Sequence, residues 1–131
     1  MPAVTVAGVN PNCNGGTGSA TATASGGTPG YTYTWSAGGT TSTKTGLLAG
    51  TYTVTVSDAN SCSVIGSVTI TNPPLLTATA AATPTACNAG ATGTATITPA
   101  GGTPAYTYVW SVGGTTSTKT GLVAGTYTAT V

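Results

Sequence analysis

The chain has 131 residues, of which only three are charged: Lys44, Asp58 and Lys119. It has no His, Glu or Arg, so it lacks both the donor–acceptor pairs of general acid–base catalysis and a base to activate its Ser and Thr hydroxyls. Two lysines make no basic patch for nucleic acid, and one carboxylate is too few for a tight metal site. The composition therefore excludes most enzymes, and we predict no catalytic, cofactor-binding or metal-binding residue.

Thr makes up about a quarter of the chain, with Gly, Ala and Ser filling much of the rest. Hydroxyl groups rather than charges must therefore keep the surface hydrated. No apolar run approaches the roughly 18 residues of a membrane helix, so no membrane insertion is expected. The first six residues lack the basic and apolar regions of an export signal, so we expect either a protein that is not exported or an interior piece of a larger one.

Apolar and polar residues alternate along most of the chain, which is the period of a β-strand. Glycine pairs at 15–16, 26–27 and 38–39 separate the alternating segments. About six or seven short strands in roughly 75 residues, without a helix, predict an immunoglobulin-like β-sandwich. The apolar faces in chain order are Val4 and Val6; Ala20 and Ala22; Tyr31, Tyr33 and Trp35; Tyr52, Val54 and Val56; and Cys62, Val64, Val68 and Ile70.

An internal repeat is the strongest signal in the sequence. Residues 26–56 and 101–131 align at an offset of 75 with five differences. We predict two tandem β-sandwich domains, 1–72 and 73–131, joined at the semi-rigid sequence Asn72-Pro73-Pro74. The second copy stops at the equivalent of Val56, so it lacks its last strand. Either the sequence is a window on a longer tandem array, which we favour, or a neighbouring molecule inserts its own strand.

Cys13 and Cys62 lie near the beginning and end of the first copy and are candidates for a disulfide. Closing a loop of about 50 residues would be worth on the order of 4 kcal/mol in the chain-entropy model. The alternative is two reduced, buried thiols. Cys87 has no partner in this chain. A disulfide would imply an oxidising, extracellular location.

Aromatic residues alternate in the same position of both copies, at Tyr31, Tyr33 and Trp35 and at Tyr106, Tyr108 and Trp110. Such a stripe most often packs in the core, which is the interpretation that we favour. The alternative is a platform on which flat rings stack against sugars, so these six residues are also our candidate glycan contacts.

Three further side chains have predicted structural roles. Tyr52 and Tyr127 stand where a sandwich places a corner tyrosine bonded to nearby backbone. Asp58 follows a strand and is expected to accept hydrogen bonds from backbone amides in an Asx turn. A calcium site is the alternative for this carboxylate.

Rows of outward-facing threonines, such as Thr51, Thr53 and Thr55, present hydroxyl and methyl groups at regular spacing. Ice binding needs a wide, flat array of this kind, which small twisted sandwiches seldom offer. The same hydroxyls could carry O-linked glycans. No Asn-x-Ser/Thr sequon is present, so ordinary N-glycosylation is not expected.

The motifs of both copies resemble a known family, the SprB repeat of large surface adhesins of gliding Bacteroidota. The resemblance covers residues 12 to about 70 and 87–131, and its motifs are Cys-Asn, Gly-Gly-Thr-Pro-x-Tyr-Thr-Tyr-x-Trp-Ser, Gly-Leu-x-Ala-Gly-Thr-Tyr-Thr and Asp-Ala-Asn-Ser-Cys. The Tyr-x-Tyr-x-Trp strand is also similar to the polycystic-kidney-disease type of sandwich. That type has an acidic turn after the Trp, whereas this chain has Ser36-Ala37-Gly38-Gly39, which favours the SprB repeat.

The SprB resemblance implies an extracellular, cell-surface or shed fibre that serves structure and adhesion rather than catalysis. Self-association is expected, because almost no charge repulsion opposes the approach of sheet edges. The competing function is a carbohydrate-binding module, or less favourably an ice-binding one, whose partner would be polysaccharide, surface glycans or ice.

Overall fold

The computed structural model describes residues 1–86, 90 and 92–131. The chain divides into two compact units, unit 1 (Met1–Pro73) and unit 2 (Pro74–Val131). The described residues form strands and turns with no helix, as the alternating pattern predicts. Every strand pairs antiparallel with its neighbours. The fold is therefore an all-β tandem of sandwich-like units.

Unit 1 contains six strands: β1 (Ala3–Val9), β2 (Gly18–Ser25), β3 (Thr32–Trp35), β4 (Thr43–Leu47), β5 (Gly50–Ser57) and β6 (Ser63–Ile70). They form two three-stranded sheets, in the orders β1-β2-β4 and β3-β5-β6. Counted in chain order, this is the A-B-E and C-F-G arrangement of an immunoglobulin-like sandwich without its D strand.

The core of unit 1 lies between the two sheets, because most apolar residues of the strands face inward and the hydroxyl residues that alternate with them face outward. The predicted inward faces supply all but one of its buried members. The exception is Leu47, which ends β4, a strand that alternation did not reveal because its sequence is Thr-Lys-Thr-Gly-Leu. The buried apolar residues are Ala20, Ala22, Trp35, Leu47, Val54, Val56 and Ile70.

Unit 2 repeats this plan with five strands: β7 (Thr77–Thr83), β8 (Gly93–Ala100), β9 (Val109–Trp110), β10 (Thr118–Leu122) and β11 (Ala129–Thr130). One sheet has the order β7-β8-β10, and the other is the β9-β11 pair. Its buried apolar residues are Ile97, Trp110 and Leu122. Each is the counterpart of a core residue of unit 1, so unit 2 has a smaller core of its own.

Strand β5 of unit 1 and its counterpart in unit 2 show what a neighbouring strand contributes to strand formation. β5 spans eight residues and pairs on one side with β3 and on the other with β6. Its counterpart in unit 2 has nearly the same sequence, yet only β11, two residues long, pairs there, with β9 alone. Among the described residues unit 2 has no counterpart of β6. Strand formation here depends on a partner as well as on alternation.

Candidate functional site

The two tryptophans of the aromatic stripe belong to the cores. Trp35 is 2% exposed and Trp110 is 4% exposed. The Trp35 indole Nε1 donates to the Thr41 carbonyl at 2.9 Å, and the Trp110 Nε1 donates to the Thr116 carbonyl at 2.8 Å. Each ring is thus buried with its single polar atom satisfied, which is how a core Trp is accommodated.

The first tyrosine of each stripe forms a hydrogen bond with the double-glycine turn that precedes it. Tyr31 Oη donates to the Gly26 carbonyl at 2.6 Å, and Tyr106 Oη donates to the Gly101 carbonyl at 2.6 Å. Gly26 and Gly101 have φ of 66° and 73°, in the left-handed region that favours glycine. These hydroxyl groups are therefore occupied in holding local structure.

This arrangement reduces the number of residues that could contact a glycan. A buried indole cannot stack on a sugar, so Trp35 and Trp110 are removed from the candidate contacts. Tyr33 and Tyr108 are half-buried, and Tyr33 packs against the core of unit 1. Sugar contact by the tyrosines stays a prediction.

The corner tyrosines are confirmed in both units. Tyr52 Oη donates to the Leu48 carbonyl at 3.0 Å, and Tyr127 Oη donates to the Val123 carbonyl at 2.8 Å. Each bond spans four residues and closes the turn between two strands. Both tyrosines are therefore assigned a structural role.

Asp58 joins two loops of unit 1 and is 7% exposed. Its Oδ2 accepts from the Thr28 amide at 3.1 Å, while its Oδ1 accepts from the Asn60 amide at 3.0 Å and the Cys62 amide at 2.9 Å. The Asx turn is confirmed, and it extends to the loop after β2. The Thr28 hydrogen bond is the largest cause that lowers the pKa of this carboxyl below its ordinary value of 3.8. Both carboxylate oxygens accept hydrogen bonds from backbone amides. This arrangement indicates that the carboxylate holds the two loops together rather than binding a cation.

The disulfide between Cys13 and Cys62 is not formed, and this prediction is corrected. Both residues are free, and both are exposed rather than buried as the alternative expected. Cys62 directly precedes β6, whereas Cys13 lies in the loop that meets the other end of β6, where Asn14 Nδ2 donates to the Pro73 carbonyl at 2.9 Å. An eight-residue strand is about 25 Å long, but a disulfide needs Cα atoms within about 7 Å. The two thiols therefore lie at opposite ends of the sandwich. Cys87, the unpaired cysteine of the sequence, lies outside the described residues.

Pairs of threonines on neighbouring strands lie on the outer faces of the sheets. The hydroxyl groups of Thr21 and Thr43 are 3.2 Å apart, and those of Thr51 and Thr69 are also 3.2 Å apart. Thr96 and Thr118 repeat the first pair in unit 2 at 3.1 Å, and Thr83 pairs with Thr94. These pairs tie neighbouring strands and leave a hydroxyl-rich surface facing solvent.

Unit 2 has an open apolar groove. The groove consists of two adjoining hollows of about 340 and 300 Å³ between β7–β8 and the chain leading to β11. All seven residues of β7 are exposed, whereas Val4 and Val6 of its counterpart β1 are half-buried. Residues shared by the lining include Ala82, Ala95, Gly125 and Tyr127.

Within residues 1–86, 90 and 92–131, no three His, Cys, Asp or Glu side chains are placed together to hold a metal ion. No helix that is long and apolar enough to cross a membrane occurs in that part of the chain.

Comparison with known proteins gives one family. The model of the SprB repeat matches residues 5–40 and again residues 79–115, together more than half of the chain. The two matches begin in β1 and β7, so they repeat the division into units. No curated protein and no solved structure matches the chain.

Proposed function

The chain belongs to the SprB repeat family, a structural repeat family found in cell-surface proteins, and on that premise we propose that it is a segment of an extracellular fibre. Each unit acts as a spacer that lengthens the fibre. The outer faces meet water, surfaces or neighbouring fibres. No reaction is part of this function.

The observation that carries the proposal is the repetition of one fold within 131 residues. Each unit buries its own tryptophan and leucine from nearly identical sequence, Trp35 and Leu47 in one and Trp110 and Leu122 in the other. Domains that bury separate cores can be multiplied along a chain without rearranging their neighbours. The linking sequence Asn72-Pro73-Pro74 favours an extended, semi-rigid connection. This is the construction of a spacer.

The surface supports contact between fibres. The net charge is +1, so electrostatic repulsion between chains is small. Strand β6 lies at the edge of its sheet and carries Ile65, which is 68% exposed. An apolar edge strand without charge favours edge-to-edge pairing. We therefore place self-association at the β6 edge of unit 1.

The location is tested in cells. Antibody raised against the chain should label intact, unpermeabilised cells of the source organism, and external protease should remove the label. The intact mass of the native polypeptide, compared with 12.4 kDa, measures how many repeats accompany these two and whether glycans are attached. Label that appears only after permeabilisation contradicts an extracellular fibre.

Self-association is tested by sedimentation of the purified chain over a range of concentrations. Ile65→Lys places a charge on the edge strand, and Thr53→Lys places the same charge on the central strand β5, where the side chain is also exposed. We expect Ile65→Lys to weaken association and Thr53→Lys to leave most of it. Equal behaviour of the two variants would show that the β6 edge is not the contact.

A further inference from the structure

Two asparagine side chains hold the segment that follows β6 in unit 1. Asn10 Oδ1 accepts a hydrogen bond from the Thr71 amide at 2.9 Å, and Asn14 Nδ2 donates to the Pro73 carbonyl at 2.9 Å. Both asparagines lie in the loop between β1 and β2. Residues 71–73 are therefore held against this loop by two side-chain hydrogen bonds.

The two asparagines differ in the residue that follows each of them. The side-chain amide of an asparagine reacts within the chain when the backbone nitrogen of the next residue attacks its Cγ. Pro11 follows Asn10 and has no N–H, so Asn10 is protected from this reaction. Gly15 follows Asn14, has no Cβ to hinder the attack, and has a φ of 77°. Asn14 is therefore the reactive member of the pair.

We propose that Asn14-Gly15 is a self-modifying site, at which Asn14 is converted to aspartate or isoaspartate. The Gly15 nitrogen loses its proton and forms a bond to Asn14 Cγ, the Cγ–Nδ2 bond breaks, and Nδ2 leaves as ammonia. Water then opens the resulting succinimide ring at either of its two carbonyl groups. Water is the only co-reactant, and an amide is exchanged for a carboxylate. The proposal does not depend on the function proposed above.

The surroundings of Asn14 leave room for the reaction. Its side chain is exposed, and it lies in a turn that the Gly16 amide closes by donating to the Cys13 carbonyl at 3.0 Å. A Cβ added to Gly15 would have no heavy atom within 4 Å, so this turn has space to change conformation. The hydrogen bond from Asn14 to Pro73 is exposed, and such a bond should slow the reaction by only about fivefold.

The product cannot make the contact that the asparagine makes. A carboxylate has no N–H to donate to the Pro73 carbonyl, and its negative charge would lie beside that oxygen. The new charge lowers the formal net charge of the chain from +1 to 0. Isoaspartate also lengthens the main chain of the turn, which separates Gly16 from the Cys13 carbonyl. Conversion therefore releases Pro73 and leaves the bond between Asn10 and Thr71.

Asn60 is an internal reference, because it is also exposed but is placed differently. Its Nδ2 donates to Thr28 Oγ1 at 2.8 Å. The nitrogen that would attack it belongs to Ser61, which carries a side chain and donates its N–H to the Asp58 carbonyl at 3.0 Å. Both the amide and its attacking nitrogen are therefore held in other contacts, and Asn60 should react more slowly than Asn14.

The test incubates the purified full chain at neutral and mildly alkaline pH and locates the products by mass spectrometry of proteolytic peptides. We expect conversion at Asn14 to be at least about tenfold faster than at Asn60 or at Asn88, whose next residue is Ala89. The rate should rise in proportion to the hydroxide concentration, since the attacking nitrogen must lose its proton. It should also lie within about tenfold of the rate in a synthetic peptide of residues 10–18. An Asn14 that stays intact after the peptide has been converted would overturn the proposal, and so would equal rates at Asn14 and Asn60.

Three variants separate the chemistry from its structural effect. Gly15→Ala retains Asn14 and adds a methyl group in open space, but at a φ that disfavours alanine; Asn14→Gln retains an amide at an unstrained position but requires a larger ring. Both should lose most of the conversion, and a rate like that of the unchanged chain in either would contradict attack by the Gly15 nitrogen on Asn14. Asn14→Asp reproduces the product and should speed amide exchange at Thr71 at least about threefold. Unchanged exchange at Thr71 would show that conversion does not loosen the segment.

Discussion

Replacing Ile70 tests whether alternation along β6 sets the stability of unit 1. Ile70 is 1% exposed, whereas Ile65 in the same strand is 68% exposed. Removing three buried carbons from a packed core lowers the free energy of unfolding by about 2–5 kcal/mol, because the favourable transfer of those atoms out of water is lost and a cavity remains. Ile70→Ala should destabilise unit 1 by that amount, whereas Ile65→Ala should change its free energy of unfolding by less than about 0.5 kcal/mol.

This loss is large for so small a domain. A unit of 73 residues is expected to be stable by roughly 4–11 kcal/mol, at about 0.05–0.15 kcal/mol per residue. For this size, each kcal/mol lowers the melting temperature by about 4–8 °C. Ile70→Ala should therefore lower the melting temperature of unit 1 by at least about 8 °C.

The assay must report on unit 1 alone. In a Trp110→Phe background the only tryptophan is Trp35, so thermal and urea melts followed by fluorescence describe the first core. Both Ile variants are compared with this background. Similar losses for the two variants, or a loss below about 1 kcal/mol for Ile70→Ala, would refute the assignment of inward and outward faces in β6.

Three further predictions concern the polar contacts and the thiols. Because folding lowers the pKa of Asp58, the stability that its carboxylate contributes is present above the ordinary carboxyl pKa and is lost as pH falls through the folded pKa. Thermal melts at acid pH should therefore show that unit 1 becomes less stable below about pH 4. Asp58→Asn should remove this loss of stability at low pH. Tyr52→Phe and Tyr127→Phe each delete one exposed hydrogen bond and should each cost about 1 kcal/mol in denaturant melts of the matching unit; no loss in either would contradict the corner role. Cys13 and Cys62 should both react with a thiol reagent in the folded chain, and reductant should leave the melting of unit 1 unchanged; protection of either thiol would contradict their exposure.

The sequence determined the class of the fold and much of the core. Strict alternation assigns Val54, Val56 and Ile70 to buried faces, and all three are less than 2% exposed. Local chemistry also determined the corner tyrosines and the contacts of Asp58 with the Asn60 and Cys62 amides, since these bonds join residues that are close in the chain. The contact of Asp58 with the Thr28 amide joins residues that are remote in the chain and was decided by the tertiary structure. The repeat itself was visible at an offset of 75.

Distances between remote residues were decided by the tertiary structure. Cys13 and Cys62 are favourably spaced in sequence, but β6 separates the loops that hold them. Leu47 gave no alternating signal, because it follows Thr-Lys-Thr-Gly and directly precedes Leu48. Its place at the end of β4, opposite Gly18 of β2, was decided by the pairing of these strands. Chain spacing alone does not determine which ends of a sandwich meet.

Strand length was decided in the same way. The sequences of residues 50–56 and 125–131 differ at one position, yet the first lies within an eight-residue strand and the second contains a strand of two. The backbone groups of a strand are satisfied by the strands beside it, and β5 has two such neighbours where β11 has one. The sequence determined that both segments are able to form strands, whereas the presence of β6 decided how much of each one does.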